Sequence, residues 1–226
     1  RFLEIATTRP ETMLGDTAVA VHPDDDRYKD LVGKTCILPI MNKEIPIIAD
    51  EFVETEFGTG CVKITPAHDM NDYQAGLKHN LEIIHVFDEN FKMGNLHPDY
   101  VGMELKDARK KIVEELEKIG ALVKIEDYKH NVAKHDRCKA TVEPKISDQW
   151  FVAMKELAKP AIEAVKKGDT RFVPDKFEKT YFNWLENIQD WCISRQIWWG
   201  HQIPAYYCEK CGEITVDVKA PEECSK

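Results

Sequence analysis

The sequence contains no apolar run that approaches the roughly 20 residues a membrane-spanning helix needs. Its first five residues lack the charged-then-apolar layout of a secretory signal peptide. Internal repeats and low-complexity tracts are also missing. These absences predict a globular protein of the cytoplasm without membrane contact. With 226 residues, of which 43% are hydrophobic, the chain can form one sizeable core plus a small satellite, or two modest domains.

The cysteines form no dense framework, and acidic residues outnumber basic ones, 40 against 31. The seven cysteines are scattered and do not resemble the dense disulfide framework of a small secreted domain. The formal net charge is -9, which argues against a freestanding nucleic-acid binder, because neutralising phosphates requires clustered Lys and Arg. Any contact with RNA is therefore expected to be local or assisted by other protein parts. The basic run 129–145 fits a solvated face, with nucleic-acid phosphates as the alternative partner.

Short β-prone runs separated by Gly and Pro dominate the first 146 residues and predict a β-barrel-like or mixed-sheet core. The predicted strands cover residues 2–7, 17–21, 35–38, 45–49, 61–65, 82–87 and 121–135. Amphipathic periodicity predicts peripheral helices at 69–80 and 104–119, and further helices at 156–167 and 176–188. The fold class is therefore predicted as α+β, with a β-barrel-like core, peripheral helices and a helical segment after it.

The first chemical motif is Thr7-Thr8-Arg9-Pro10-Glu11-Thr12, at the end of the first predicted strand. One interpretation is purely structural, because Thr8 and Glu11 have the spacing of a helix capping box. The other interpretation is functional. Several hydroxyls and one guanidinium facing a pocket could hold a polar ligand with its phosphate or ribose.

The second motif runs from Gly58 to Tyr73, where a glycine-shaped loop and a strand lead into a helix. The helix start collects His68, Asp69 and Asp72. Carboxylates there can simply cap the helix and complement its dipole. Two carboxylates with a Lys and a His nearby also suit the binding of a substrate ammonium, and both interpretations stay open on the pattern alone.

These two segments resemble the signatures of connective polypeptide 1, the editing insertion of class I aminoacyl-tRNA synthetases for valine, isoleucine and leucine. A third stretch, Asp190-Trp191-Cys192-Ile193-Ser194-Arg195-Gln196-Ile197-Trp198-Trp199-Gly200, resembles the return to their catalytic domain. The valine enzymes are the better match. Isoleucine enzymes typically carry Pro-Trp-Thr in the first motif and His at the position of Lys63, whereas leucine enzymes carry Asp for Glu11 and Met for Lys63.

The resemblance implies an ester hydrolase that removes misattached threonine from the 3′ end of valine tRNA. Asp72 would pair with the α-ammonium, Asp69 would support that pocket or contact the substrate hydroxyl, and Lys63 completes the implied catalytic set. The implied substrate-binding residues are Thr8, Arg9, Thr12, Thr65 and His68. A second site is needed because an apolar pocket rejects the near-isosteric threonine only about 100-fold. Two alternatives remain: a non-catalytic module that docks the tRNA 3′ end, and the editing domain of an isoleucyl- or leucyl-tRNA synthetase.

The implied organisation is an editing domain at 1–146, a return segment at 147–200 and a partial zinc-ribbon-like segment at 201–226. Cys208-x2-Cys211 followed by Cys224 predicts zinc binding, with redox chemistry as the alternative. The chain ends where a fourth cysteine would stand, so the site is expected to be incomplete and the chain to be a fragment. No cofactor is expected for editing. Neither a HIGH-type nor a KMSKS-type motif is present, so ATP, Mg²⁺ and aminoacylation would belong to the remainder of the synthetase.

Overall fold

The computed structural model describes residues 2–226, which divide into two compact units. The first unit ends at Ile146 and the second begins at Ser147. Both contain helices and short strands, so the mixed α and β content of the prediction is confirmed. Among the described residues, no helix is long and apolar enough to cross a membrane.

Four strands of the first unit form one mixed sheet in the order β2-β3-β1-β4. The strands are β1 (Ala18–Val21), β2 (Thr35–Leu38), β3 (Lys43–Ala49) and β4 (Cys61–Ile64). β1 lies parallel to β3, whereas β2–β3 and β1–β4 pair antiparallel. β2 and β4 are edge strands, so the sheet formed within residues 2–226 is open and is not a closed barrel. All of β1 is buried, which explains why this central strand is apolar throughout.

The two faces of the sheet bury different side chains, because successive residues of a strand point to opposite sides. The valines of β1 pack with apolar residues of β2 and β3. The alanines of β1, including Ala18, pack with Ala75 of helix α1 (Met70–Lys78). A Cβ on Gly76 of this helix would lie only 3.0 Å from the Pro66 ring. Small residues therefore hold α1 close to the end of β4 and so fix the position of its N-terminus.

A second core cluster of the first unit lies under helix α2, which spans Leu105–Lys118. Its apolar face buries Ala108 and Ile112, whose spacing of four residues places them on one side of the helix. They pack with Leu14 of a short 3-10 helix, Pro10–Gly15. The first chemical motif is thereby attached to the core of the unit.

The second unit consists of two helices and two small antiparallel pairs of strands. Helix α3 (Met154–Lys166) continues through its internal proline, and Tyr181 of the next helix donates a hydrogen bond to its Ala161 carbonyl at 2.9 Å. The remaining elements are α4 (Phe177–Glu186), β5 (Phe151–Val152), β6 (Trp191–Cys192), β7 (Ala205–Tyr207) and β8 (Ile214–Val216); β5 pairs with β6, and β7 with β8.

The predicted helices and the strands that became β1 to β4 are confirmed, with small differences at their ends. Three predicted strands are wrong. Leu3 and Ile5 of the stretch 2–7 are partly buried, but its backbone pairs with no strand. In 82–87 the only pairing is an isolated bridge from Phe87 to Met93. Residues 121–135 are almost entirely exposed, so their alternating apolar and polar residues do not form a buried strand face.

Candidate editing site and cysteine cluster

A cluster of buried charge forms where the start of β1 meets the end of β4, since these strands are antiparallel. Lys63 Nζ lies 3.1 Å from Asp16 Oδ1 and also donates a hydrogen bond to the Thr65 hydroxyl. The Thr65 hydroxyl donates to Asp16 Oδ1 at 2.6 Å. Burial raises the pKa of the Asp16 carboxyl, and the Lys63 ammonium opposes that shift. An ammonium has three N–H donors, so Lys63 retains one for a ligand.

Asp72 lies in the first turn of α1, and its carboxylate faces the same cluster. Its Oδ2 accepts a hydrogen bond from the Thr65 backbone N–H at 2.8 Å, and the residue is 8% exposed. Burial raises the Asp72 pKa to about 6; the Thr65 bond lowers it and the charge of Asp69 raises it further. Among residues 2–226, no cationic side chain forms an ion pair with Asp72. An ammonium ligand would supply the missing opposite charge.

Asp69 is the N-cap of α1, as the structural interpretation predicts. Its Oδ1 accepts hydrogen bonds from the backbone N–H groups of Asn71 at 2.8 Å and Asp72 at 3.1 Å. The side chain is exposed, so one carboxylate oxygen remains open to solvent or ligand. Capping therefore accounts for Asp69 but not for the buried carboxylate of Asp72.

His68 is fully engaged by the backbone. Its Nδ1 lies 3.1 Å from the Pro144 carbonyl, and its Nε2 accepts a hydrogen bond from the Val86 N–H at 2.9 Å. This pairing places the proton on Nδ1 of a neutral ring. Burial is the main cause that lowers the His68 pKa to about 4. With both nitrogens used, the ring ties three segments of the first unit together.

The predicted capping box of the first motif is wrong. The 3-10 helix begins at Pro10 without any side-chain cap. Glu11 is 1% exposed, and both of its oxygens accept hydrogen bonds from Arg109 of α2, at 2.9 and 2.7 Å. Leaving the buried Glu11 carboxylate without a cation would cost more free energy than leaving the start of a short helix uncapped. Thr8 is exposed and, among the described residues, makes no hydrogen bond through its hydroxyl, so it is not brought to the cluster.

Arg9 and Thr12 of the first motif are joined by a hydrogen bond from the Thr12 hydroxyl to the Arg9 carbonyl at 3.1 Å. The Arg9 guanidinium lies 5.9 Å from the centre of the Phe87 ring and forms an ion pair with Glu143. Because Phe87 also packs on His68, at 4.3 Å between ring centres, Arg9 and the helix start share one neighbourhood.

Three cysteines of the second unit converge at the β7–β8 hairpin. Cys208 and Cys211 lie in its turn, where Gly212 adopts a positive φ of 72° and its N–H donates to the Cys208 carbonyl at 2.8 Å. The three sulfur atoms lie within 4.8 Å of one another, and Cys211 Sγ is 3.5 Å from Cys224 Sγ. Sulfurs on one tetrahedral zinc would be about 3.8 Å apart, so the arrangement fits that ion. A hydrogen bond from the Cys211 backbone N–H is the main cause that lowers the Cys208 pKa to about 7, which favours the metal-binding thiolate.

Comparison with known proteins gives the chain its family. The family model described as tRNA synthetases class I (I, L, M and V) matches residues 11–226. The chain belongs to these class I tRNA synthetases. A valine–tRNA ligase from Clostridium tetani (strain Massachusetts / E88) is 62% identical over 225 residues, which is 100% of this chain and 26% of the relative. The valine–tRNA ligase of Thermotoga maritima is 56% identical over the same length and share.

The valine–tRNA ligase of Bacillus subtilis (strain 168) is 59% identical over 222 residues, 98% of this chain and 25% of the relative. The chain thus spans about a quarter of the length of the curated relatives it matches. A solved structure described as "The crystal structure of GlLeuRS-CP1" covers 57% of this chain and 83% of its own, with 15% identity and a TM-score of 0.44. The resemblance to the valine members of the class I tRNA synthetases is confirmed by the relatives.

Within this class I tRNA synthetase chain, the fold brings together Lys63, Thr65 and Asp72 and adds Asp16. The new residue carries one sequence signal: an acidic side chain two residues before a fully apolar strand. Glu143, the partner of Arg9, carries none, since it lies beyond an exposed basic stretch. Catalytic and substrate roles for the predicted residues remain predictions.

Proposed function

We propose that this chain carries the editing site of a valine–tRNA ligase and hydrolyses the ester that joins misattached threonine to valine tRNA. The names of relatives that are about 60% identical over the whole chain support valine among the amino acids of the family. The remainder of such a ligase would supply aminoacylation with ATP and Mg²⁺. The proposed divisions are the editing domain at 1–146, the return segment at 147–200 and the zinc-ribbon-like segment at 201–226, all in the cytoplasm.

The observation that carries the proposal is the buried carboxylate of Asp72, which lies beside a cluster of polar groups and forms no ion pair with a cationic side chain of residues 2–226. The α-ammonium of an aminoacyl ester would pair with Asp72. The threonine hydroxyl would then donate to an acceptor oxygen in the cluster of Asp16, Lys63 and Thr65, which valine would leave unpaired. A site built to hydrogen-bond a hydroxyl can reject the analogue that lacks it by about 10⁴-fold. Isoleucine would be excluded earlier by its size.

The proposed reaction is attack of water on the ester carbonyl carbon, followed by cleavage of the bond to the ribose oxygen. The ribose oxygen takes up a proton, and free threonine and uncharged tRNA leave. Asp72 fixes the substrate, and the remaining N–H of Lys63 is available to the oxygen that gains negative charge. Asp69, beside Asp72, would hold the helix start in place. Water is the only co-reactant, so editing is proposed to need no cofactor.

A basic stretch at residues 129–142, which ends in a hairpin over residues 133–142, supports valine tRNA as the partner. Backbone hydrogen bonds define the hairpin, from Val142 N–H to Ala133 O at 3.0 Å and from His135 N–H to Ala140 O at 2.9 Å. Within the part of the chain that the structure describes, the exposed cations of the basic stretch form no ion pair; they are Lys129, Lys134, Arg137 and Lys139. In a chain with a net charge of -9, these cations offer phosphates a local positive surface, so tRNA binding should be weak and salt-sensitive.

A zinc ion is proposed at Cys208, Cys211 and Cys224. Three thiolates leave one tetrahedral position for another ligand. Because the cluster lies in the second unit, its role would be to hold the β7–β8 hairpin and not to take part in hydrolysis.

The decisive experiment measures deacylation of threonyl- and valyl-valine tRNA by the wild-type protein, by Asp72→Ala and by Asp107→Ala. Asp107 is the matched control, because it is an exposed acidic residue in the first turn of the other helix of the unit. Selective loss of the threonyl ester with wild type and Asp107→Ala, but not with Asp72→Ala, is expected. Binding of tRNA without any hydrolysis would favour the docking-module alternative.

A further inference from the structure

Residues 143–146 form a short strap across the two signature segments of the first unit. Glu143 pairs with Arg9 of the first segment, and the Pro144 carbonyl accepts from His68 of the second. The next two residues continue the attachment: Lys145 Nζ donates to the Asp88 carbonyl at 3.2 Å, and Ile146 N–H donates to the Ala67 carbonyl at 3.1 Å. Four consecutive residues are thus fixed to the walls of the site, directly after an exposed stretch.

Glu143 is the main anionic partner of the Arg9 guanidinium. Glu11 also approaches, but its oxygen lies 3.4 Å from Arg9 Nε, and both Glu11 oxygens are already held by Arg109 at 2.9 and 2.7 Å. The Arg9 and Glu143 side chains are only 27% and 24% exposed. Their pairing is therefore less screened by water than an ion pair on the open surface.

The orientation of the guanidinium follows from these contacts. It is a planar group with five N–H donors in a fixed fork, and its edge from Nε to Nη2 is held by the two carboxylates. The Phe87 ring lies near it, 5.9 Å from the ring centre to Cζ. The donors that remain, on Nη1 and Nη2, keep a fixed direction instead of sampling the many rotamers of a free arginine.

We propose that Glu143 is a positioning residue that orients Arg9 for the phosphate or ribose oxygens at the 3′ end of the bound tRNA. This inference rests on the proposed editing function. Glu143 acts through Arg9 and does not touch the ester, so its loss should weaken substrate binding and leave the hydrolytic step nearly intact. The strap would fix this orientation relative to the start of α1, because the next residue holds His68.

Two other roles for Glu143 would give different kinetics from a positioning role. If Glu143 merely occupied Arg9 and had to be displaced by the RNA, removing its charge would tighten binding and lower KM. If it only stabilised the fold, kcat and thermal stability would fall together. The direction of the KM change therefore separates positioning from occlusion, and the split between KM and kcat separates positioning from folding.

The test is steady-state deacylation of threonyl-valine tRNA by the full-length protein with Glu143→Gln, Glu143→Asp, Arg9→Gln and the double variant Arg9→Gln/Glu143→Gln. We expect Glu143→Gln to raise KM about tenfold, the size of one lost charge-assisted hydrogen bond, with kcat changed less than about twofold. Glu143→Asp should recover part of the loss. The double variant should be no worse than Arg9→Gln, because the two residues act as one unit.

Glu126→Gln is the matched control, since Glu126 pairs with Lys124 at 3.0 Å on an exposed part of the same segment. It should leave KM, kcat and thermal stability unchanged. An unchanged or lowered KM in Glu143→Gln, or an equal loss of kcat and stability, would overturn the inference while the editing function stands. If the wild type itself fails to deacylate threonyl-valine tRNA, the editing function is wrong and the inference falls with it.

Discussion

The proposed editing site in the first unit and the cysteine cluster in the second are organised by different forces. Asp16, Lys63 and Thr65 are held by strand pairing and burial, and they hydrogen-bond one another while one Lys63 N–H stays open to a ligand. Cys211, in the turn of a small hairpin, and Cys224, in the chain that follows it, are both exposed with little core beneath them. A site of the first kind is formed by folding itself, whereas a site of the second kind is completed by its ion. The two should therefore respond differently to loss of a ligand and to loss of a charge.

Metal removal should give the largest difference between the two sites. We expect a strong chelator, or Cys211→Ser, to abolish hydrogen-exchange protection of β7 and β8, because the thiolates then repel and no core replaces the ion. The sheet of the first unit should keep its protection. Cys138→Ser is the control, as this exposed cysteine lies outside the cluster. Protection of β7 and β8 that survives chelation would show that the hairpin does not depend on metal.

Removing the charge of Lys63 should instead lower the stability of the first unit. Lys63→Met leaves Asp16 buried without its cation and should lower the free energy of unfolding by about 3 kcal/mol at pH 7. The matched variant is Lys43→Met, which removes an exposed pair with Glu82 and should change it by less than about 1 kcal/mol. Urea unfolding at pH 7 gives both values. Equal effects would mean that burial contributes nothing to the Lys63 pairing.

Asp72→Asn should make the protein more stable while it abolishes editing. The Asp72 pKa is about 6 in the folded chain, compared with its ordinary value of 3.8. At pH 7 the carboxylate is therefore ionised in a buried position, which destabilises the folded state. Neutral Asn avoids this and should stabilise the fold by about 1 to 3 kcal/mol at pH 7. The gain should shrink as the pH falls through 6 toward 4, because the wild-type carboxyl then takes up its proton. Thermal melts across pH 4 to 7 test this, and a gain independent of pH would contradict it.

His68 should show the opposite dependence on pH, with a smaller effect. Its pKa is about 4 when folded and 6.5 as its ordinary value, so the unfolded chain takes up a proton first as the pH falls below 6.5. The wild type should lose about 2 kcal/mol from this residue between pH 7 and pH 5. His68→Gln should be less stable at pH 7 but should lack this loss. A parallel decline of variant and wild type over that range would rule out His68 as its source.

Local patterns predicted the elements of this chain better than they predicted its site. Helical periodicity and short β-branched runs identified α1 to α4 and β1 to β4, because each pattern reflects a face that is buried in the fold. Alternating apolar and polar residues also predict a strand at 121–135, and this prediction is wrong because no core lies beside that segment. Lys63, Thr65 and Asp72 were predicted from the motif that contains them. Asp16 and Glu143 come from distant parts of the chain, and only tertiary structure brings them to it.

Thr65 joins the two carboxylates of the site, giving its hydroxyl to Asp16 and its backbone N–H to Asp72. This double attachment depends on the register in which Ala18 lies opposite Ile64. If β4 slipped by one residue during folding, Lys63 would turn to the other face of the sheet and an apolar side chain would take its place. The slip would expose the core and disassemble the site in one event. Misfolded molecules would therefore lack a partly formed pocket, and under the proposed function correctly charged tRNA would not meet a hydrolase of relaxed specificity.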